Sequence, residues 1–118
     1  MRYLHDHKTN GCNSQIRIEV LDQPGHGGAN HDYRVVLPNG DATLISFQNG
    51  PILEVGTNGL THEVLLAILI DRMRGFQSGQ YNCLENQLAL NAMQQALDLF
   101  HARTQKRADR GVEGTHAI

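Results

Sequence analysis

From Gln15 to Leu21 apolar and polar positions alternate, with Ile16, Ile18 and Val20 on one side and Arg17 and Glu19 on the other. That period of two predicts a half-buried strand. The following stretch, Asp22 to Asn30, is rich in glycine and reads as a loop. His31–Leu37 and Ala42–Gln48 then flank Pro38-Asn39-Gly40-Asp41, and an Asn-Gly pair between two β-rich runs signals a hairpin. A second Asn-Gly at 49–50 precedes Pro51 and a short apolar run, Ile52 to Val55, which is expected to add a fourth strand. Residues 1–14 are polar and without period, so they are expected to form a flexible arm.

After Gly59 the period changes. Thr61 can cap a helix running to about Gln77, with Glu63 favourably placed in its first turn. Val64 to Ile70 is apolar all the way round the axis, which implies burial on more than one side. Ser78 to Asn82 breaks the chain, and a second helix is expected from about Cys83 to Arg110, stopped by Gly111. At ~1.5 Å per residue it would be about 40 Å long, so its far end must project. Leu84, Leu88, Met93, Leu97 and Phe100 recur along it at helical spacing, widened by Leu90 and Leu99, and a stripe of that length predicts packing against helices of other subunits. Residues 111–118 carry two glycines and no period and read as a frayed tail. The expected fold is α+β in one domain: an antiparallel meander of three to four strands over 15–56, then two long helices over 61–110.

Composition narrows the classes. In 118 residues 40% are apolar but only 5% aromatic, with no Trp, so a core must be built from Leu, Ile, Val and Ala. A net charge of -2 argues against wrapping a nucleic-acid polymer, which needs a dense field of Lys and Arg. Positive charge is local, at Arg103, Lys106, Arg107 and Arg110. Cys12 and Cys83 form no C-x-x-C pair and read as free thiols, with no metal and no cofactor expected. The opening residues lack the apolar stretch of a signal peptide, and Val64–Ile70 is too short to span a bilayer. A soluble, unexported protein without membrane contact is expected.

Arg103, Arg107 and Arg110 fall at i, i+4 and i+7 and share a helix face, so their guanidinium groups can converge on phosphate oxygens. A solvated basic helix end facing the helix dipole explains the same stripe. Phe76, at the end of the first helix, can stack on a base or serve as an ordinary core residue. Asn86 can pair with an adenine edge or hydrogen-bond the free amides at a helix start. The loop from Gly25 to His31 joins two strands and so departs from Walker and dinucleotide fingerprints, which open a helix. His5 and His7 lack a third ligand. The chain carries no G-x-S-x-G and no H-E-x-x-H, and its twelve carboxylates are scattered, so no hydrolase chemistry is indicated.

Five blocks in order, GGANHDYRV (27–35), ISFQNGPILEVGTNG (45–59), IDRMRGFQ (70–77), CLENQLAL (83–90) and RTQKRADRGVEGTH (103–116), resemble the Thoeris anti-defence protein 1 family of bacteriophages. The resemblance covers about Gly27 to Ile118. It implies an N-terminal antiparallel sheet and two long helices, with subunits assembling into dimers and then hexamers in the cytoplasm of an infected bacterium. It further implies a sponge rather than an enzyme: members capture cyclic ADP-ribose isomers made by TIR-domain enzymes, and some also hold the cyclic di- or trinucleotides of CBASS, at separate sites. By the family pattern Phe76 stacks on adenine, Asn86 contacts the base, and Arg103 and Arg107 hold the pyrophosphate, with Arg110 and His31 as further contacts. The rival readings are a phosphodiesterase or lyase that destroys the same signal, and a structural phage protein whose arginines meet an acidic partner.

Overall fold

A computed structural model describes residues 1–118. The elements follow in the order β1 (Arg2–Leu4), α1 (Gly11–Ser14), β2 (Arg17–Val20), β3 (Asp32–Val36), β4 (Ala42–Ser46), α2 (Ile52–Val55), α3 (His62–Gln77) and α4 (Leu84–Asp109). The architecture is α+β, an antiparallel sheet followed by long helices. Two compact units result: Met1–Gly50 with Val55–Leu60, and Pro51–Glu54 with Thr61–Ile118.

The first unit is a four-stranded antiparallel sheet in the order β1-β2-β3-β4. Its central hairpin turns where expected. The Gly40 N–H donates to Leu37 O at 2.9 Å, Asn39 Oδ1 accepts from the Asp41 N–H at 2.9 Å, and Gly40 has φ 91, the left-handed conformation that closes a three-residue hairpin loop. Register places Tyr3, Glu19, Arg34 and Leu44 in one cross-strand row. In that row Glu19 is only 3% exposed, bonded through one carboxylate oxygen to Arg34 and through the other to Arg17 Nε at 3.1 Å. The Arg34 hydrogen bond leads in holding the Glu19 carboxyl below its ordinary pKa; desolvation opposes it and Arg17 assists.

Two expectations are corrected in this region. The fourth strand is Arg2–Leu4, paired with β2, and the loose arm is therefore replaced by a paired segment. His7 Nε2 lies 2.6 Å from Ile16 O and Arg2 Nη2 donates to Asn30 Oδ1 at 2.7 Å, so tertiary partners hold a stretch that has no period of its own. Ile52–Val55 is a helical turn instead of a strand. Pro51 starts the turn, accepting at its carbonyl from the Glu54 N–H at 3.0 Å, and positive-φ glycines at 50 and 56 bracket it, leaving no extended run to pair.

The second unit is a helical hairpin. Thr61 caps α3, its Oγ1 accepting from the Val64 N–H at 3.2 Å. Cys83 and Arg110 flank α4 as its caps. Of the Val, Leu and Ile side chains, Val20, Ile70 and Leu90 are buried. Val64, Ile68, Leu69, Leu84, Leu88 and Leu99 stand exposed on the hairpin, so the all-round apolar face of α3 and the stripe of α4 are not covered within one chain. No helix is long and apolar enough to cross a membrane.

Candidate functional site

The residues singled out in the hairpin gather at its two opposite ends. At the tip, α3 stops at Gln77, and Gln77 folds its amide onto the next helix: Nε2 donates to Cys83 O and Oε1 accepts from the Cys83 N–H, both at 3.1 Å. Cys83 in turn caps α4, with Sγ accepting from the Asn86 N–H at 3.4 Å. These bonds fix the spacing between Phe76 and Asn86. The Phe76 ring is 37% exposed, with the Arg72 guanidinium 4.9 Å from its centroid and Tyr81 edge-on at 6.5 Å and 87°. Asn86 reaches toward Tyr81 O with Nδ2 at 3.5 Å, the outer limit of a hydrogen bond. An aromatic plate and a side-chain amide therefore share one locality, joined through Tyr81.

At the other end α4 outruns α3. His62, the first residue of α3, meets Phe100 at 5.0 Å between ring centroids, and α4 continues for the rest of its length to Asp109. Arg103, Lys106, Arg107 and Arg110 all lie on that overhang. With Leu99 and Ile118 they line a recess of about 320 Å³. Arg103 is exposed. Arg110 directs Nη1 to Ile118 O at 3.2 Å.

Arg107 is different from its neighbours: it is 8% exposed. Nε donates to Glu113 Oε2 at 3.1 Å, Nη1 to Ala117 O at 2.8 Å and Ile118 O at 3.5 Å, and Nη2 to Val112 O at 3.0 Å and Thr115 O at 3.2 Å. A guanidinium has five N–H donors, and each has an acceptor here. The tail is accordingly folded back rather than frayed. Its other flank is held by Leu53, whose N–H donates to Gly114 O at 3.1 Å. Gly114 has φ 80, and a Cβ there would lie 2.9 Å from Leu53 Cγ, so a side chain is excluded on two counts.

Phe76 and Asn86 are thus brought together, and Arg103, Arg107 and Arg110 are brought together, but the two groups are not. Asn86 and Arg103 are seventeen positions apart on one continuous helix, a rise of about 25 Å. His31 belongs to the sheet unit, where its N–H donates to Asp22 Oδ2 at 3.0 Å and its Nδ1 lies 3.6 Å from the same oxygen. Desolvation works to raise the Asp22 pKa, but several hydrogen bonds, led by those from the Asp32 and His31 amides, together hold the carboxyl below its ordinary value. Sequence reasoning placed Lys106 in the basic patch without counting it as a site residue, read the tail as frayed, and gave Tyr81 no role. Lys106 follows Arg103 at i+3 and so shares its face; Tyr81 is an aromatic inside a helix break, which is a signal in itself.

Comparison with known proteins agrees with this arrangement of elements. The family model described as the Acb2/Tad1 hairpin domain matches residues 40–105. The protein called Thoeris anti-defense 1, from Bacillus phage SBSphiJ7, is 40% identical over 92 residues, which is 78% of this chain. The match spans 65% of that relative's own length. The family match extends over more than half of the chain and takes in α3 and most of α4, with both helix caps and the tip cluster inside it, so the chain belongs to the Acb2/Tad1 hairpin-domain family.

Proposed function

We propose that the protein is a phage anti-defence factor that binds and sequesters a host immune nucleotide without cleaving it, acting inside the infected cell. The observation that carries this reading is the division of the hairpin into an aromatic-amide tip and a cationic overhang about 25 Å apart. An adenine nucleotide needs both: stacking and edge pairing for the base, and guanidinium or ammonium groups for the phosphates. One chain cannot close them on a single small ligand. Two hairpins packed side by side in opposite directions can, each placing its tip on the other's overhang. The exposed Val64, Ile68, Leu84, Leu88 and Leu99 supply the apolar surface for such pairing, at about 1.5–3 kcal/mol for each such side chain fully buried.

In the paired site Phe76 stacks on the base, Asn86 pairs with its edge, and Arg103 leads the contacts to phosphate. Cyclic ADP-ribose isomers are the primary ligand class, with cyclic di- and trinucleotides as a second class. The relative named Thoeris anti-defense supports the biological setting. Dimers would further associate into hexamers. No reaction is assigned, because a sponge works by slow release, and slow release needs an enclosed and preorganised site rather than a nucleophile. The experiment is a thermal-shift screen of both nucleotide classes, followed by heat denaturation of the saturated protein and chromatography of what is released. Intact nucleotide is expected. A linear product would make the protein an enzyme.

A further inference from the structure

We propose that the outer edge of β4 is a docking site for an extended segment of another protein in which glutamates alternate with β-branched apolar residues. The site belongs to the sheet unit and does not rest on nucleotide binding. β4 ends the sheet, with β3 on one side and no strand on the other. Bonds from Phe47 N–H to His31 O and from Leu37 N–H to Asp41 O set the phase of the β3–β4 ladder, so the odd-numbered residues of β4 bond inward. Ala42, Leu44 and Ser46 therefore turn their backbone groups outward. The Ser46 carbonyl is taken, accepting from the Leu60 N–H at 2.8 Å, while the N–H and carbonyl of Leu44 are left open. Folded proteins guard such an edge with lysine, proline or a bulge, because open backbone groups recruit extended chains. Ala42–Ser46 has none of these, and Leu44 in its middle is 69% exposed.

The chemistry of the added chain follows from the two faces it would continue. On one face Leu44 stands in a row with Arg34 and Glu19, and Arg17 lies two positions before Glu19. Both arginines give Nε to the one Glu19 carboxylate, which fixes their placement. Their remaining nitrogens make no bond within the chain, and their side chains are 42% and 52% exposed. Asp32, next on that face, is in no ion pair with either of them, so one positive charge is left unbalanced. Two strand spacings, about 10 Å, separate Arg34 from a residue set beside Leu44, a gap that an arginine and a glutamate close together. On the opposite face Ile45 is half-buried and pairs with Tyr33, whose ring meets Phe47 edge-on at 5.7 Å and 90°. A β-branched residue there extends that apolar layer. A nucleic-acid strand is the poorer match: its charge repeats at every phosphate, whereas this face sets one excess cation among Tyr3, Val36 and Leu44.

The test uses two fluorescein-labelled peptides, Thr-Val-Glu-Ile-Glu-Val-Thr and its counterpart with lysine at both glutamates, read by fluorescence anisotropy on the unmodified chain. The glutamate peptide should bind with a Kd of about 10–100 µM, and the lysine peptide about tenfold or more weakly. Binding should slow hydrogen exchange at the Leu44 amide, which has no acceptor in the free protein. Leu44→Pro removes that outward N–H and leaves the bonds to β3 in place, so it should abolish binding of both peptides. Arg34→Ala should bind the two peptides about equally. No binding of the glutamate peptide, equal binding of both by the unmodified chain, or normal binding by Leu44→Pro would each overturn the proposal. A Leu44 amide already protected in the peptide-free protein and released on dilution would overturn it too, because a second copy of the chain would then occupy the edge.

Discussion

The tip and the overhang of the hairpin are built on different principles. At the tip, residues between Phe76 and Gln87 bond to one another across a short turn, and Phe76 and Asn86 are left partly exposed on top of that scaffold. At the overhang, one helix has no α3 beside it, and order is imposed from the tail and from Leu53. A ring needs only a rigid place to stand. In the cluster of like charges at the overhang, Arg107 is buried and tied down by the tail while Arg103 stands exposed.

That contrast can be pressed by substitution. The largest loss is expected from Arg103→Ala with Lys106→Ala, since two charge-assisted hydrogen bonds are worth about 1.5–3 kcal/mol each; calorimetry should show binding weakened about 100-fold or more. Phe76→Ala comes next, with about 1–3 kcal/mol of base stacking removed while the circular-dichroism spectrum stays helical. Asn86→Ala should cost less, about 0.5–1.5 kcal/mol of binding. It should also spare helix stability, because the cap uses the Asn86 backbone N–H and not its side chain. Smallest is Cys83→Ser, which replaces a long sulfur bond with a preferred capping hydroxyl and is expected to raise the unfolding free energy by a few tenths of a kcal/mol to about 1 kcal/mol without altering affinity. A salt titration sharpens the comparison further: raised ionic strength should weaken the unmodified protein more steeply than the double overhang variant, because screening acts on the cationic end and not on stacking.

What could be read in the sequence follows from where the determinants lie. The bounds of both long helices were legible because their signals are local: Thr61 and Glu63 at one start, the break over 78–82, and Gly111 at the far end. The Asn39-Gly40 hairpin was legible for the same reason. Arg2–Leu4 was not, since three residues cannot display a period and the strand exists only through its pairing with Ile18 to Val20. Ile52–Val55 misled because a run of four apolar residues fits a strand or a helical turn equally well until Pro51 is given weight. Phe76 and Asn86 were singled out separately by their places at a helix end and a helix start, and the structure sets both at the hairpin tip around Tyr81. The state of Arg107 was hidden: helical spacing gives the face a side chain occupies, but its acceptors come from a glycine-containing tail five to eleven positions further on, folded by contacts that no periodicity encodes.

The central claim is that each site joins the tip of one chain to the overhang of another, and mixing two defective proteins tests it directly. At a nucleotide concentration that just saturates the unmodified protein, Phe76→Ala and Arg103→Ala variants are each expected to bind little alone, lacking about 1–3 kcal/mol of stacking and about 1.5–3 kcal/mol of charge-assisted hydrogen bonding respectively. Refolded together in equal amounts, they should recover about one quarter of the sites of the unmodified protein, since half of randomly formed symmetric dimers are mixed and each mixed dimer has one site with both halves intact. A mixture that binds no more nucleotide than its two components, although mixed dimers are present, would contradict the account.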